Sequence, residues 1–249
     1  MQDFNEPTSD TSESFTELFR GFGGGRLFLI GIILYTVGAG VSNLFSLPGI
    51  LRDTVYYYNV VRIVLLLAMA PFVLNAIGLW IIFAASKSQG LPKMIPRALT
   101  TLKISAVVTL IYTLLMVLFV LFVFFTLATW GGVLTLFLIA LILTGILFAL
   151  YIIFYFVPFL RILRAVKHGI TNNTLKPLRG VIPFTVISCI SIGVTALYTL
   201  YTLSIASIAV TDFSALPLLF TSASLAGNMI IVVVINQFNR KLKDTKSGP

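Results

Sequence analysis

Carboxylates are missing from every long apolar stretch of this chain, and that absence excludes more chemistry than any motif does. The eight acidic residues are Asp3, Glu6, Asp10, Glu13 and Glu17 near the N-terminus, then Asp53, Asp212 and Asp244. An ionisable group inside an apolar span is costly to hold there, so each one marks function by default. Without any, the spans hold no proton relay and no aspartate pair for intramembrane proteolysis, and ion-coupled transport is disfavoured.

Histidine and cysteine occur once each. His168 stands among Arg164 and Lys167 and reads as a solvated side chain, since a pH switch would need a partner that is not evident. Cys189 lies in an apolar run and reads as a small apolar packer. A single thiol excludes a disulfide framework and a cysteine metal cluster, and no H-E-x-x-H string exists for metal hydrolysis. No Ser–His pair can be set at one depth. Gly23-Gly24-Gly25 lacks the Lys-Ser/Thr that would complete a phosphate loop. No catalytic residue, metal or cofactor is therefore expected, and a lipid-modifying enzyme using interfacial Lys and Arg ranks last among the functions considered.

What the chain has in quantity is apolar length. Hydrophobic residues make up 58% of 249 and charged residues 10%, against about 25% charged in soluble domains. Mean hydropathy is +1.04. Such a chain cannot solvate its surface in water, whereas lipid can act as its solvent. The expected fold class is an all-α integral membrane protein: a six-transmembrane-helix bundle with both termini in the cytoplasm and a short amphipathic N-terminal helix. A span needs about 20 apolar residues, and six runs qualify, at 27–44, 61–85, 104–127, 132–160, 182–210 and 215–237. The fourth and fifth are long, which tilt, a kink near Pro158 or extension beyond the lipid would absorb. Pro183 opens the fifth, where its missing N–H costs little.

The flanks divide simply. Residues 1–12 are polar and acidic and read as a disordered tail. Within 13–25, Ser14 and Glu17 fit a capping box, and Phe15, Leu18, Phe19 and Phe22 recur on one helical face. That stripe suits a helix lying in the membrane interface or one packed on the bundle. Glycines at 21 and 23–25 then permit a turn into the six-helix domain, 26–239. Residues 240–249 form a basic cytoplasmic tail. The N-terminus reads as retained rather than as a signal peptide, because its first nineteen residues hold no Lys or Arg.

Basic residues supply a direction. Arg20 and Arg26, the 86–103 and 161–181 connections and the tail together hold 15 of the 17, while only Arg52 and Arg62 fall on the opposite side. The positive-inside rule puts the majority in the cytoplasm, with a bacterial cytoplasmic membrane as the expected location. The net charge of +9 is thus spent on orientation, and nucleic acid is not an expected partner. Lys87, Lys93, Arg97, Arg161, Arg164 and Lys167 are candidate contacts for anionic lipid headgroups. Asn172-Asn173-Thr174 fits a glycosylation acceptor that this placement denies. On the outer side, Tyr56-Tyr57-Tyr58 and Trp130 read as an interfacial aromatic belt.

Inside the spans only uncharged polarity is left. Asn75 and Asn228 fall near mid-depth, and Tyr35, Tyr112 and Tyr198 recur in similar strings: Leu34-Tyr35-Thr36, Ile111-Tyr112-Thr113 and Leu197-Tyr198-Thr199. These strings allow a helix hairpin used three times, although the unequal spacing of the tyrosines counts against it. The Pro-x-Asp/Glu-x-x-Lys/Arg signature of three-hairpin mitochondrial carriers is missing. The two asparagines serve either as glue between helices, the reading favoured by nearby Gly78 and Gly227, or as a ligand-facing pair joined by the tyrosines. Function is correspondingly open. A non-catalytic membrane subunit or scaffold, working with the lipid bilayer and other membrane subunits, is expected first. A permease or binding component for a small uncharged or weakly polar solute is the alternative.

Overall fold

A computed structural model describes residues 14–52, 58–88, 91–131, 134–208 and 216–246. Everything regular in these segments is helical: α1 (Phe15–Gly23), α2 (Arg26–Arg52), α3 (Tyr58–Lys87), α4 (Leu91–Gly131), α5 (Leu134–Tyr151), a π-helical turn (Ile152–Phe156), α6 (Val157–Asn172), α7 (Val181–Ile208) and α8 (Leu216–Lys246). Six helices are long and apolar enough to cross a membrane, with α5 continuing through the π turn into α6 as one of them. The acidic tail, Asp53, Asp212 and residues 56–57 lie outside the described residues, as do the side chains of Tyr58 and Trp130.

Several helices outrun the expected spans. α4 starts at Leu91 and has 41 residues, so its length is about 60 Å, twice the hydrocarbon thickness. Lys93, Arg97 and Lys103, placed by sequence in a connection, stand on its first turns. Residues 161–172 are helical as well, and α8 carries Arg240 to Lys246 on its last turns rather than in a separate tail. Hydropathy marks where a helix is apolar, not where it ends.

The feature expected near Pro158 is a π turn. The Val157 N–H donates to the Ile152 carbonyl, five residues back. Pro158 has no N–H, and its ring would crowd the carbonyl four residues before it. Widening the preceding turn relieves that crowding without ending the helix. Gly180, in the left-handed region at φ 99°, turns the chain into α7 directly over Pro158, where an added Cβ would lie 3.1 Å from the proline Cα.

The most extensive packing joins α2 to α8 and α3 to α4. In the first seam backbone meets backbone: a Cβ at Gly38 would strike the Ser224 N, and one at Gly227 the Tyr35 N. Small residues allow such approach where lipid offers no hydrophobic drive between helices. In the second seam the buried Ser105 hydroxyl donates to the Pro71 carbonyl at 2.8 Å. Both seams join different sequence hairpins, so the threefold hairpin is not the unit of packing.

One end of the bundle is closed. α1 caps it, with Ser14 and Glu17 forming the expected box. Phe15, Leu18 and Phe19 are buried against protein, so the bundle takes up the apolar stripe of α1. Phe15 sits under Gly169 of α6 and edge-on to Phe238 of α8, ring centroids 5.5 Å apart. Gly23 rests on Ser86 at the end of α3, and the buried Leu178 N–H donates to Asn239 Oδ1 at 2.7 Å. The segments that carry most of the basic residues therefore meet at this end.

Toward the other end the bundle opens. Contacts run in the order α7, α8, α2, α3, α4, α5; the π turn and α6 meet α7, while no extensive packing joins α5 itself to α7 among the described residues. Beyond the closed end, α5 and the facing part of α4 expose most of their large apolar side chains.

Candidate intramembrane binding site

Within this arc lies a cavity of about 370 Å³, inside the range of about 300–1,000 Å³ for small-molecule sites. It follows α8 from Leu225 to Phe238, about 20 Å at 1.5 Å per residue. Its composition changes along that length. Near the closed end the wall is apolar, with Phe19, Phe22, Val166, Leu178 and Phe238; farther in stand Tyr35, Asn75, Ser188, Ser191, Thr195 and Asn228. Asn75 and Asn228 each lie twelve residues from the basic flank marked by Lys87 and Arg240. That is roughly 18 Å along a helix; a ~30 Å hydrocarbon layer bounded at that flank would put both near its middle.

Three of the five sequence-nominated polar residues share this space: Tyr35, Asn75 and Asn228. Tyr35 and Asn75 face the same part of the cavity. The Asn228 carboxamide has no hydrogen-bond partner among the described residues. Tyr112 is half-buried on α4 and does not line the cavity. The side chain of Tyr198 lies outside the described residues.

Tyr155 is a wall residue that the sequence reading passed over. The wider π turn brings residues four apart almost into line, so Tyr151, Tyr155 and Phe159 stack at centroid separations of 5.3 and 6.2 Å with planes 19° and 10° apart. Phe184 of α7 extends the stack, 5.6 Å from Phe159. Just behind, the Tyr151 hydroxyl is buried beside Thr113. The Thr113 proton goes to the Thr109 carbonyl, and Tyr151 finds no well-aligned partner. The signal available in sequence was the pair Tyr151 and Tyr155 just ahead of Pro158, since tyrosine in a span needs a polar partner when buried.

The six basic candidates stand elsewhere. Lys87, Lys93, Arg97, Arg161, Arg164 and Lys167 are all exposed, and none lines the cavity. On α6 the three project from the face opposite Ile162, Leu163 and Val166, which are buried. Lys87 Nζ lies 5.9 Å from the Phe83 ring centroid. Arg20 Nη2 donates to the Ser88 carbonyl at 3.4 Å. Only two acids, Glu17 and Asp244, occur among the described residues. At Glu17 the hydrogen bonds from the Ser14 backbone and hydroxyl hold the carboxyl below its usual pKa, with Arg20 adding to them. His168 is exposed and meets Asn172 one turn on. Cys189 is exposed on α7 rather than packed in the core, because its face of the helix points out of the arc.

No cluster of three or more His, Cys, Asp or Glu side chains able to hold a metal occurs among the described residues. The cavity lining holds no carboxylate, imidazole or amine, so it offers a ligand hydrogen bonds and apolar contact. No protein family, curated protein or solved structure matches the chain.

Proposed function

We propose that this protein is a non-catalytic multi-pass membrane protein, both termini cytoplasmic, that binds a largely apolar, weakly polar molecule inside the bilayer. The observation that carries this reading is the cavity reaching Asn75 and Asn228 at mid-depth. Holding an unpartnered amide in hydrocarbon costs several kcal/mol on an alkane scale, about 4–8, and a ligand that hydrogen-bonds Asn228 removes that cost. Interhelical glue would need a protein partner, which Asn228 lacks among the described residues. Of the two leading classes left open by sequence, the binding component is thereby favoured over the scaffold.

The sparse packing between α5 and α7 beyond the π turn supports access from the lipid phase, where an apolar molecule is already concentrated. The orientation rests on charge: the segments gathered at the closed end carry most of the basic residues, which the positive-inside rule places in the cytoplasm. At that surface the exposed cations of α4 and α6 are set to meet anionic headgroups, each worth about 1 kcal/mol.

A photoactivatable fatty alcohol tests the binding reading. In lipid discs it should label α7 and α8 saturably, and Ile192→Trp, which fills the cavity, should suppress labelling while leaving the protein folded. Labelling confined to the outer surfaces of α4 and α5, or unchanged by Ile192→Trp, would remove the basis for it.

A further inference from the structure

The polarity along the cavity runs opposite to that of an ordinary anionic lipid. A phospholipid or fatty acid keeps its charged group at the interface, near Lys and Arg, and its chain at mid-depth. Here the interface-proximal end is lined by Phe, Leu, Ile and Val, and the hydrogen-bonding groups lie deep. The deep groups are uncharged, so an ionised head would be desolvated there without a counter-ion. A ligand suited to this gradient is neutral and leads with its polar group.

The deep groups also have hydrogen bonds to offer a neutral head. The Asn228 amide and the Ser188 and Ser191 hydroxyls have no protein hydrogen-bond partner among the described residues. Each can donate, so a bare acceptor such as a carbonyl can be satisfied. Eight of the 28 lining residues are aromatic, about twice the 13% of the whole chain. The stack of Tyr155, Phe159 and Phe184 forms one wall. Rings present electropositive edges and electronegative faces that pair with other rings, which favours a planar ring over a plain alkyl chain.

We infer that the site takes a neutral lipid carrying a carbonyl-bearing ring, with Asn228 donating to the carbonyl at mid-depth and the ring against Tyr155, the deep end of the aromatic wall. This assignment rests on the binding function proposed above. It makes Asn228 a specificity residue and Tyr155 a ring contact.

Equilibrium binding of tritiated decyl-benzoquinone to the full chain in lipid discs tests it, with decylbenzene and an anionic phospholipid as competitors. The inference expects saturable one-to-one binding and competition by decylbenzene at least tenfold weaker than by unlabelled decyl-benzoquinone. Asn228→Leu should weaken the quinone about tenfold, the scale of one lost hydrogen bond, and leave decylbenzene unchanged. The variant's unfolding temperature should match wild type, and Ser188→Ala serves as a milder second variant with the same selectivity. Equal binding of quinone and decylbenzene, both abolished by Ile192→Trp, would overturn the carbonyl assignment and leave the cavity reading standing. Preference for the anionic phospholipid would overturn the neutral head. If neither neutral probe binds saturably, both the inference and the binding reading fail.

Discussion

Adding one methyl group at Gly227 should separate the best-packed pair of helices in the fold. An alanine Cβ there would strike the Tyr35 N and lie 2.7 Å from the Gly31 carbonyl oxygen and 2.8 Å from the Tyr35 Cα. Ordinary contact begins at 3.4 Å, so clearing the carbonyl alone takes a withdrawal of about 0.7 Å, and clearing the Tyr35 N takes more. Every obstructing atom is backbone, and no rotamer change relieves it. Overpacking costs about 1–3 kcal/mol, and a rigid seam belongs at the upper end. Alanine's helix propensity returns about 1 kcal/mol over glycine, which leaves roughly 2 kcal/mol of destabilisation. For a chain of this size that is about 4–8 °C in Tm. Gly145→Ala is the control, because a Cβ there meets nothing within 4 Å and should leave Tm unchanged or raise it. Thermal unfolding of the detergent-solubilised proteins, followed by loss of the monodisperse elution peak, reads both. The seam also joins the stretches that carry Tyr35 and Asn228 into the cavity, so Gly227→Ala should weaken ligand binding as well. A Tm for Gly227→Ala within 1 °C of that for Gly145→Ala would refute the backbone-contact reasoning.

Three further outcomes are expected. The Glu17 carboxyl is held below its ordinary pKa by Ser14; a depressed acid stabilises the fold above its unfolded pKa, and the contribution is lost as pH falls through the folded value. Amide exchange in α1 should therefore quicken in acid, relative to α8, and Glu17→Gln, which keeps the box without the charge, should flatten that dependence. Asn239→Leu leaves the buried Leu178 N–H unpaired, at about 1–3 kcal/mol, so Tm should fall by roughly 2–12 °C with faster exchange at Leu178; an unchanged Leu178 amide would contradict the assignment. In a Cys189→Ser background, Thr171→Cys should react with an impermeant thiol reagent only from the cytoplasmic side and Asp53→Cys only from the outside, and the reverse pattern would invert the proposed topology.

The six apolar helices were legible in sequence because lipid imposes one simple rule, about 20 apolar residues per span, on each of them. Helix ends were not. The start of α4 at Leu91 and the run of α8 to Lys246 depend on packing at the closed end, where Ile95, Ala98 and Leu242 are buried among residues that hydropathy reads as connection or tail. Asn75 and Asn228 were found by depth alone, since a carboxamide in a span is rare and costly. Their grouping with Tyr35 was only one of two readings, because a single sequence holds no pairing of α2 with α8. Tyr155 was missed for a different reason. Its place on the wall depends on a π turn, which shifts the helical register at one point and leaves no periodic trace. Tyr112 shares a local string with Tyr35, yet resemblance over three residues does not carry a side chain into the same environment.

Mass spectrometry of the intact protein released from lipid discs, wild type beside Ile192→Trp, tests the intramembrane binding site most directly. The account predicts that wild type retains one neutral, largely apolar molecule through purification, that Ile192→Trp loses it, and that both proteins unfold cooperatively. An identical complement of bound molecules on the two proteins, or a wild type that carries none and takes up none when the neutral probes are supplied, would contradict it.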